Sequence, residues 1–352
     1  MKVVFHFGPP KSGTSAIQKW LLSNRDWLLS QHIYYPDHVL DVNGVSSGNL
    51  RAAFEFVNED FYFSKKLFDE QVNNALIAGC HTIVFSSEFF FRRLEEISLN
   101  VPNALFIGYI RFGLEVLQSS YNQSVKRHGK VEKFEPLAQV QSTLRTLSLT
   151  VKQLDEGKFE LRPYCKKLFK NNSIVADFLD FLNLEFNSVD FDVGRVNPSY
   201  SLESIEVKRW FNQLEVGALE TQLDLALQNY GDPRPYSLMS DQLFEECKII
   251  YIRQLKDFLR SHDVLKSSEF YKECSWLKNK PYKEQELSLS EFESVLRDLL
   301  QRKEISRHAV HAAYTEGMKQ RLHLEYPERL EILHRIAPPW RVLFERIAKF
   351  IV

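Results

Sequence analysis

The sequence predicts an α/β protein with a parallel sheet and a helical region after it. Three short apolar runs, Val3–Phe7, His81–Phe85 and Asn103–Ile110, have the β-branched and aromatic content of buried strands. Each is followed by a loop and then by apolar residues at helical spacing, the alternation from which parallel sheets are built. From Leu202 onward no such run recurs, and the chain reads as charge-mixed helix.

Composition narrows the function. A chain of 352 residues can bury one large core, or a core with a smaller helical region. Its net charge of −1 supplies no global field for nucleic acid, so anions would be met by local basic clusters. Aromatic residues make up 13 %, including 27 Phe, which implies large packed surfaces. The four cysteines, Cys80, Cys165, Cys247 and Cys274, are scattered without a C-x-x-C pair, which predicts reduced thiols and a cytoplasmic setting. A strand starting at Val3 leaves no room for a signal peptide, and no apolar run approaches the ~20 residues that span a bilayer.

The first strand runs into Gly8-Pro9-Pro10-Lys11-Ser12-Gly13-Thr14-Ser15, and Ala16–Leu22 then has helical spacing. Two prolines and two glycines exclude the interior of an element, leaving strand, tight loop and helix start. Amides of the first helical turn and the positive end of its dipole suit an anion there. Lys11 adds charge, and Ser12, Thr14 and Ser15 add hydroxyls, although these would equally cap the helix. The loop is not a Walker A motif, because Lys11 precedes Gly13 rather than following the last glycine.

Along the chain, Asn24–Gln31 continues the first helix or forms a second turn, and His32–Pro36 reads as a brief edge strand. Asp41–Gly48 is a loop, with Gly48-Asn49 placed where an acceptor-side loop would lie. Phe61–Ile77 has helical spacing and stops before Gly79. The second strand delivers Ser86-Ser87-Glu88 to the carboxyl edge of the sheet, where ligands gather. Glu88 is there either a general base or a carboxylate at a helix start. The third strand delivers Arg111, and the helix Phe112–Arg127 carries Ser119 eight residues on. Phe134–Leu154 reads as helix, Lys158–Tyr164 as a strand running into a turn, and Ser173 as the opening of a helix. Gly194–Ser201 is a loop in which Ser201 would cap the next helix. Prolines at 233, 235, 281, 338 and 339 interrupt the helical stretch beyond Leu202. His308 and His311 lack a third ligand, so no metal is expected.

Pro-Lys-Ser-Gly-Thr-Ser after an N-terminal strand resembles the 5′-phosphosulfate loop of sulfotransferases that use 3′-phosphoadenosine-5′-phosphosulfate (PAPS). The resemblance covers about residues 1–215 and is strongest at the first loop, at the strand ending in Glu88 and at Arg111 with Ser119. It implies a three-layer, P-loop-like core over 1–215, with 216–352 as a helical C-terminal region. It implies that Pro10, Lys11, Ser12, Gly13, Thr14 and Ser15 hold the 5′-phosphosulfate and that Arg111 and Ser119 hold the 3′-phosphate. Tyr164 would lie near the adenine, or simply pack, and Arg195 would reach the nucleotide from a loop like that of bacterial carbohydrate-type enzymes.

The expected activity is sulfuryl transfer to a hydroxyl acceptor, a carbohydrate or glycoconjugate by resemblance. Lys11 would stabilise the leaving phosphate and Glu88 would take the acceptor proton, with His6 and His128 as other bases. No metal, nucleic acid or transmembrane segment enters this scheme. The alternatives are a P-loop kinase or NTPase with Glu88 as a Mg²⁺-side acid, and a scaffold with a non-catalytic nucleotide site.

Overall fold

β1 (Lys2–Phe7) lies at the centre of a parallel sheet and sets its geometry. The computed structural model describes residues 1–9, 11–39, 48–137, 143–185, 191, 200–231 and 234–340. Five strands, with β2 (Ile33–Tyr34), β5 (Thr82–Ser87), β6 (Ala104–Ile110) and β7 (Phe159–Pro163), stand in the order β2-β5-β1-β6-β7. All four pairings are parallel. β3 (Phe54–Val57) and β4 (Asp60–Phe63) form a separate antiparallel hairpin.

The phenylalanine content is used in the sheet. Phe85, Phe5, Phe106 and Phe159 occupy one register across β5, β1, β6 and β7. Phe5 stacks on Phe85 at 4.9 Å and Phe106 on Phe159 at 4.9 Å, so one face carries a ladder of rings perpendicular to the strands. Phe90 and Phe68 cover that face, Phe68 from α3 (Lys65–Ile77). On the opposite face, Val4, Val84, Ile107 and Tyr109 pack beneath α1 (Thr14–Ser23) and α7 (Ile174–Phe181). Helices on both faces of a parallel sheet make the α/β class.

Two predicted helices start later than their spacing suggests. Phe61 belongs to β4, because Asn58 (φ 50°) and Glu59 (φ 65°) make a two-residue turn that folds Phe54–Phe63 into a hairpin. Ser64 then caps α3 by accepting from the Leu67 amide. Among the described residues of 134–154, α-helix is confined to α6 (Thr143–Leu154). The Phe134 amide donates instead to the Gln285 side chain at 2.8 Å, outside any helix.

Contacts within the chain gather into two units. The first takes residues 1–116, 140–197 and 245–278, the second 117–139, 198–244 and 279–352, so both draw on both sides of residue 215. Besides the sheet, the first unit includes α2 (Arg25–Ser30), α4 (Leu94–Asn100) and α11 (Ser267–Ser275). Its β7 edge is met by the Leu265 amide, which donates to the Leu161 carbonyl at 2.9 Å. α5 (Gly113–Arg127) and α10 (Asp241–Ser261) each contribute residues to both units.

The second unit is helical, with α8 (Leu202–Phe211), α9 (Ala218–Gln228), α12 (Leu289–Gln301), α13 (Arg307–Lys319) and α14 (Arg329–Ile336). Ser201 caps α8, accepting from the Ser204 amide. Trp210, Phe211 and Phe292 form an aromatic centre. Glu206 and Arg209, each 1 % exposed, are buried beside it as an ion pair at 3.0 Å. Buried charge is tolerated only with further bonds, which Glu325 and the Val131 carbonyl supply to Arg209, and Gln285 to Glu206. Among the described residues no helix is long and apolar enough to cross a membrane.

β2 pairs with β5 over two residues only, and Asn49 takes its place beyond them. The Asn49 amide donates to the Ser86 carbonyl, its Oδ1 accepts from the Ser86 amide at 2.7 Å, and its Nδ2 reaches the carbonyls of Val84 and Pro36. One side chain thus continues the sheet edge in front of Glu88. Asn49→Ala would leave the buried Ser86 amide unsatisfied and should lower stability by about 1–3 kcal/mol in urea unfolding. A midpoint unchanged from wild type would show that the edge does not need it.

Candidate functional site

In an open parallel sheet, ligands bind where the connections reverse direction. Here the chain leaves β1 toward β2 on one side and leaves β6 toward β7 on the other. The reversal point therefore lies between the carboxyl ends of β1 and β6, and these strands deliver the glycine-rich loop and Arg111.

The loop is held through its backbone carbonyls, to which side chains donate, and by close packing at Gly13. Gly13 sits at φ 84°, and a Cβ there would stand 2.5 Å from Ile174 Cδ1 and 2.6 Å from Tyr164 Cε2, so a larger residue has no space. Lys11 is also left-handed, at φ 69°, without glycine's freedom, a conformation costing about 1–3 kcal/mol. Arg111 Nη1 donates to the Lys11 carbonyl at 2.7 Å and fixes that conformation. Ser12 is fully buried, and its hydroxyl donates to the Pro9 carbonyl at 2.8 Å.

α1 then opens at Thr14 with Gly13 as its N-cap, no side-chain cap and no acid in the first turn. Its first amides have no intrahelical acceptor, and the dipole adds positive potential. Half-buried Lys11 extends that potential: burial lowers its pKa, the nearby Glu88 charge raises it and the Arg111 charge lowers it again. Both neighbouring charges thus act on Lys11, although no ion pair joins it to Glu88.

Glu88 follows β5, exposed to solvent, and its Oε1 accepts from Thr14 Oγ1 at 2.6 Å. The turn it opens is capped by Ser87, whose hydroxyl accepts from the Phe89 amide at 3.2 Å. Glu88 is thus a carboxylate at a capped helix start, one of the two readings of the sequence, and its side chain is at the same time turned toward the loop. Tyr164 lies just past β7, its amide bonded to the Ile110 carbonyl at 2.7 Å and its ring 5.0 Å below the Arg111 guanidinium. Ring, arginine and Gly13 form one packed corner.

The structure therefore brings together Lys11, Ser12, Gly13, Thr14, Glu88, Arg111 and Tyr164, with half-buried Ser15 in the first turn of α1. Ser119, on α5, and His128, just past its end, both belong to the second unit. Pro10 and Arg195 fall outside the described residues. His6 is fully buried, bonded through Nδ1 to Ser86 Oγ at 2.8 Å, and burial pushes its pKa down to about 3. It is a neutral core residue and has no access to a ligand.

A cavity of about 340 Å³ opens beside Tyr164, also walled by Phe112, Phe270 and Trp276. Lys166 and Lys278 line it, as do the carboxylates of Glu115 and Glu273. Sequence reasoning missed Phe270 and Trp276, which lie in the stretch read as a C-terminal helical region. The signal was there: Trp276 stands among Lys272, Lys278 and Lys280, ahead of Pro281. Asn49 is singled out by the sequence only as part of an acceptor-side loop, and its bonds to the sheet edge had no such signal, since they depend on which strand it lies against. Among the described residues no group of three or more His, Cys, Asp or Glu is placed to hold a metal ion.

No protein-family model, curated protein or solved structure matches this chain.

Folded His6 stays neutral down to about 3, whereas in the unfolded chain it titrates near its ordinary 6.5. Between those values the unfolded chain holds the extra proton, so folding stability falls as pH drops, by up to about 1.4 kcal/mol per pH unit from this residue. Urea unfolding of His6→Asn should show a shallower pH dependence than wild type between pH 5 and 6.5. Parallel curves would mean that His6 titrates normally in the fold.

Proposed function

We propose that the protein is a sulfotransferase that moves the sulfuryl group of PAPS to a hydroxyl acceptor, with carbohydrate or glycoconjugate favoured. The observation that carries this is the convergence of a lysine-bearing loop, an uncapped helix start and a carboxylate at one point of the sheet. The fit rests on the cradle itself: Gly8 and Gly13 leave no room for a Cβ, and the loop between them is pinned from behind by Arg111. The aromatic cavity at Tyr164 suits a purine ring, and it begins where the cradle ends.

PAPS supplies a sulfuryl group whose sulfur bonds to the acceptor oxygen as its bond to the 5′-phosphate breaks, the phosphate keeping the electron pair. Lys11 and the α1 amides meet the charge that grows on the leaving phosphate, as preorganised donors at a fixed distance. Half-burial strengthens that effect by removing competing water. Glu88 takes the acceptor proton, and Thr14 holds the carboxylate through one of its oxygens. Arg111 keeps the loop in shape and presents its remaining N–H groups to a second phosphate.

One observation favours a kinase or NTPase instead. The hydroxyl after Gly13 and the acid after β5 bond to each other at 2.6 Å, a pair that would suit Mg²⁺ in a nucleoside triphosphate site. Calorimetry separates the readings. 3′-Phosphoadenosine-5′-phosphate (PAP) should bind in preference to ATP with Mg²⁺, and the reverse order overturns the sulfotransferase assignment.

Lys11→Ala should lower transfer by about 10²–10³ while the melting temperature holds. Turnover within a few-fold of wild type would remove Lys11 from the chemistry. Glu88→Gln keeps an acceptor for the Thr14 hydroxyl and should bind PAP normally, yet lose transfer by about 10²–10⁴. Lost stability with retained rate would assign Glu88 to the fold instead.

A further inference from the structure

The strand order places β5 and β7 on opposite sides of β1, so Glu88 and the Tyr164 cavity belong to opposite sides of the loop. On the Glu88 side stands the hairpin β3–β4, and one of its faces is a row of phenylalanines. At its base Phe54 and Phe63 lie edge to face at 5.5 Å and pack on Phe90 and Phe68. Toward the tip Phe56 faces Phe61 at 5.0 Å, and Phe61 reaches Phe89 at 6.0 Å. The base is core, but the tip is not: Phe56 is 55 % exposed and Phe89, the residue after Glu88, is 49 % exposed. The Arg51 guanidinium rests 5.6 Å over the Phe61 ring.

We propose that this ridge is the acceptor platform, and that its ligand is a saccharide ring laid against Phe56 and Phe89; the acceptor role rests on the sulfotransferase reading. Exposed apolar patches edged by polar groups mark binding surfaces. One edge is the Arg51 guanidinium, and exposed Glu88 immediately precedes Phe89 in the chain. A wholly apolar ligand would cover the rings and leave both charges unserved, and a wholly polar one would gain nothing from the rings. A pyranose has a C–H face for the rings and a rim of hydroxyls for the charges. One of those hydroxyls then lies toward the carboxylate that takes its proton.

Two other occupants fit less well. Glu55 and Glu59 stand exposed on the hairpin, and they oppose an anionic bilayer. A second copy related by a two-fold axis would bring the same acidic tip against itself.

The test uses the full chain on a glycan array, comparing wild type with the Phe56→Ser/Phe89→Ser double variant. Both side chains are half-exposed, so the variant should melt with wild type and bind PAP with the same affinity. Wild type should retain saccharides and the variant should lose them by at least about tenfold, the scale of losing two aromatic contacts. No saccharide retained, or equal retention by both proteins, overturns the platform. A wild-type dimer that the variant dissociates, or binding to phosphatidylserine vesicles that the variant loses, overturns it in favour of those occupants. PAP titration keeps the two readings apart. PAP binding without saccharide binding removes the platform alone, and saccharide binding without PAP binding removes its role as an acceptor site.

Discussion

The bond from Arg111 to the Lys11 carbonyl is the constraint on which the site depends. It joins the residue after β6 to the loop after β1, across the point where the sheet's connections reverse. Without it, a lysine in the left-handed region would relax toward ordinary backbone and its side chain would leave the helix start. One arginine thereby sets the direction of one lysine. The Tyr164 ring beneath the guanidinium and Ile174 against Gly13 close the remaining freedom, so the loop is held by β6, β7 and α7 together.

The two faces of the sheet divide the labour. The phenylalanine ladder makes one face apolar and stiff, with rings in register across four strands. The other face, under α1, buries polar groups: His6 with Ser86, the Tyr109 hydroxyl and the Gln18 amide. Neither polar atom of the Gln18 side chain is hydrogen-bonded, and the Tyr109 hydroxyl and His6 Nε2 are likewise unpaired. Such groups cost about 1–3 kcal/mol each. Three of these unpaired groups thus lie on or beneath the helix that begins at the candidate site.

Much of this was legible in the sequence because it was local. Strand, loop and helix start follow from residue order at 3–22, and the arrival of Glu88 and Arg111 at the carboxyl edge follows from two apolar runs. The start of α3 was misjudged because Phe61, Leu67 and Phe68 share a helical spacing that a hairpin also permits. The hairpin turns at Asn58 and Glu59, both at positive φ, a conformation that asparagine tolerates better than most residues. What could not be read was long-range. Asn49 acts through Ser86 and Val84, more than thirty residues away. Trp276 and Phe270 line the cavity at Tyr164 from over a hundred positions on. Side chains of that kind are assigned by topology, and topology is written in no single stretch.

The Leu265 amide on the Leu161 carbonyl also bears on how the chain is made. About a hundred residues separate that amide from the strand it covers, and at ribosomal rates they take roughly 5–20 s to appear. During that interval the nascent sheet has an open flank, the kind of edge to which another chain can add. The strand itself carries a defence. Glu160 and Arg162 place opposite charges along it and Pro163 ends it, so a passing strand finds poor company until the rest of the unit has left the tunnel.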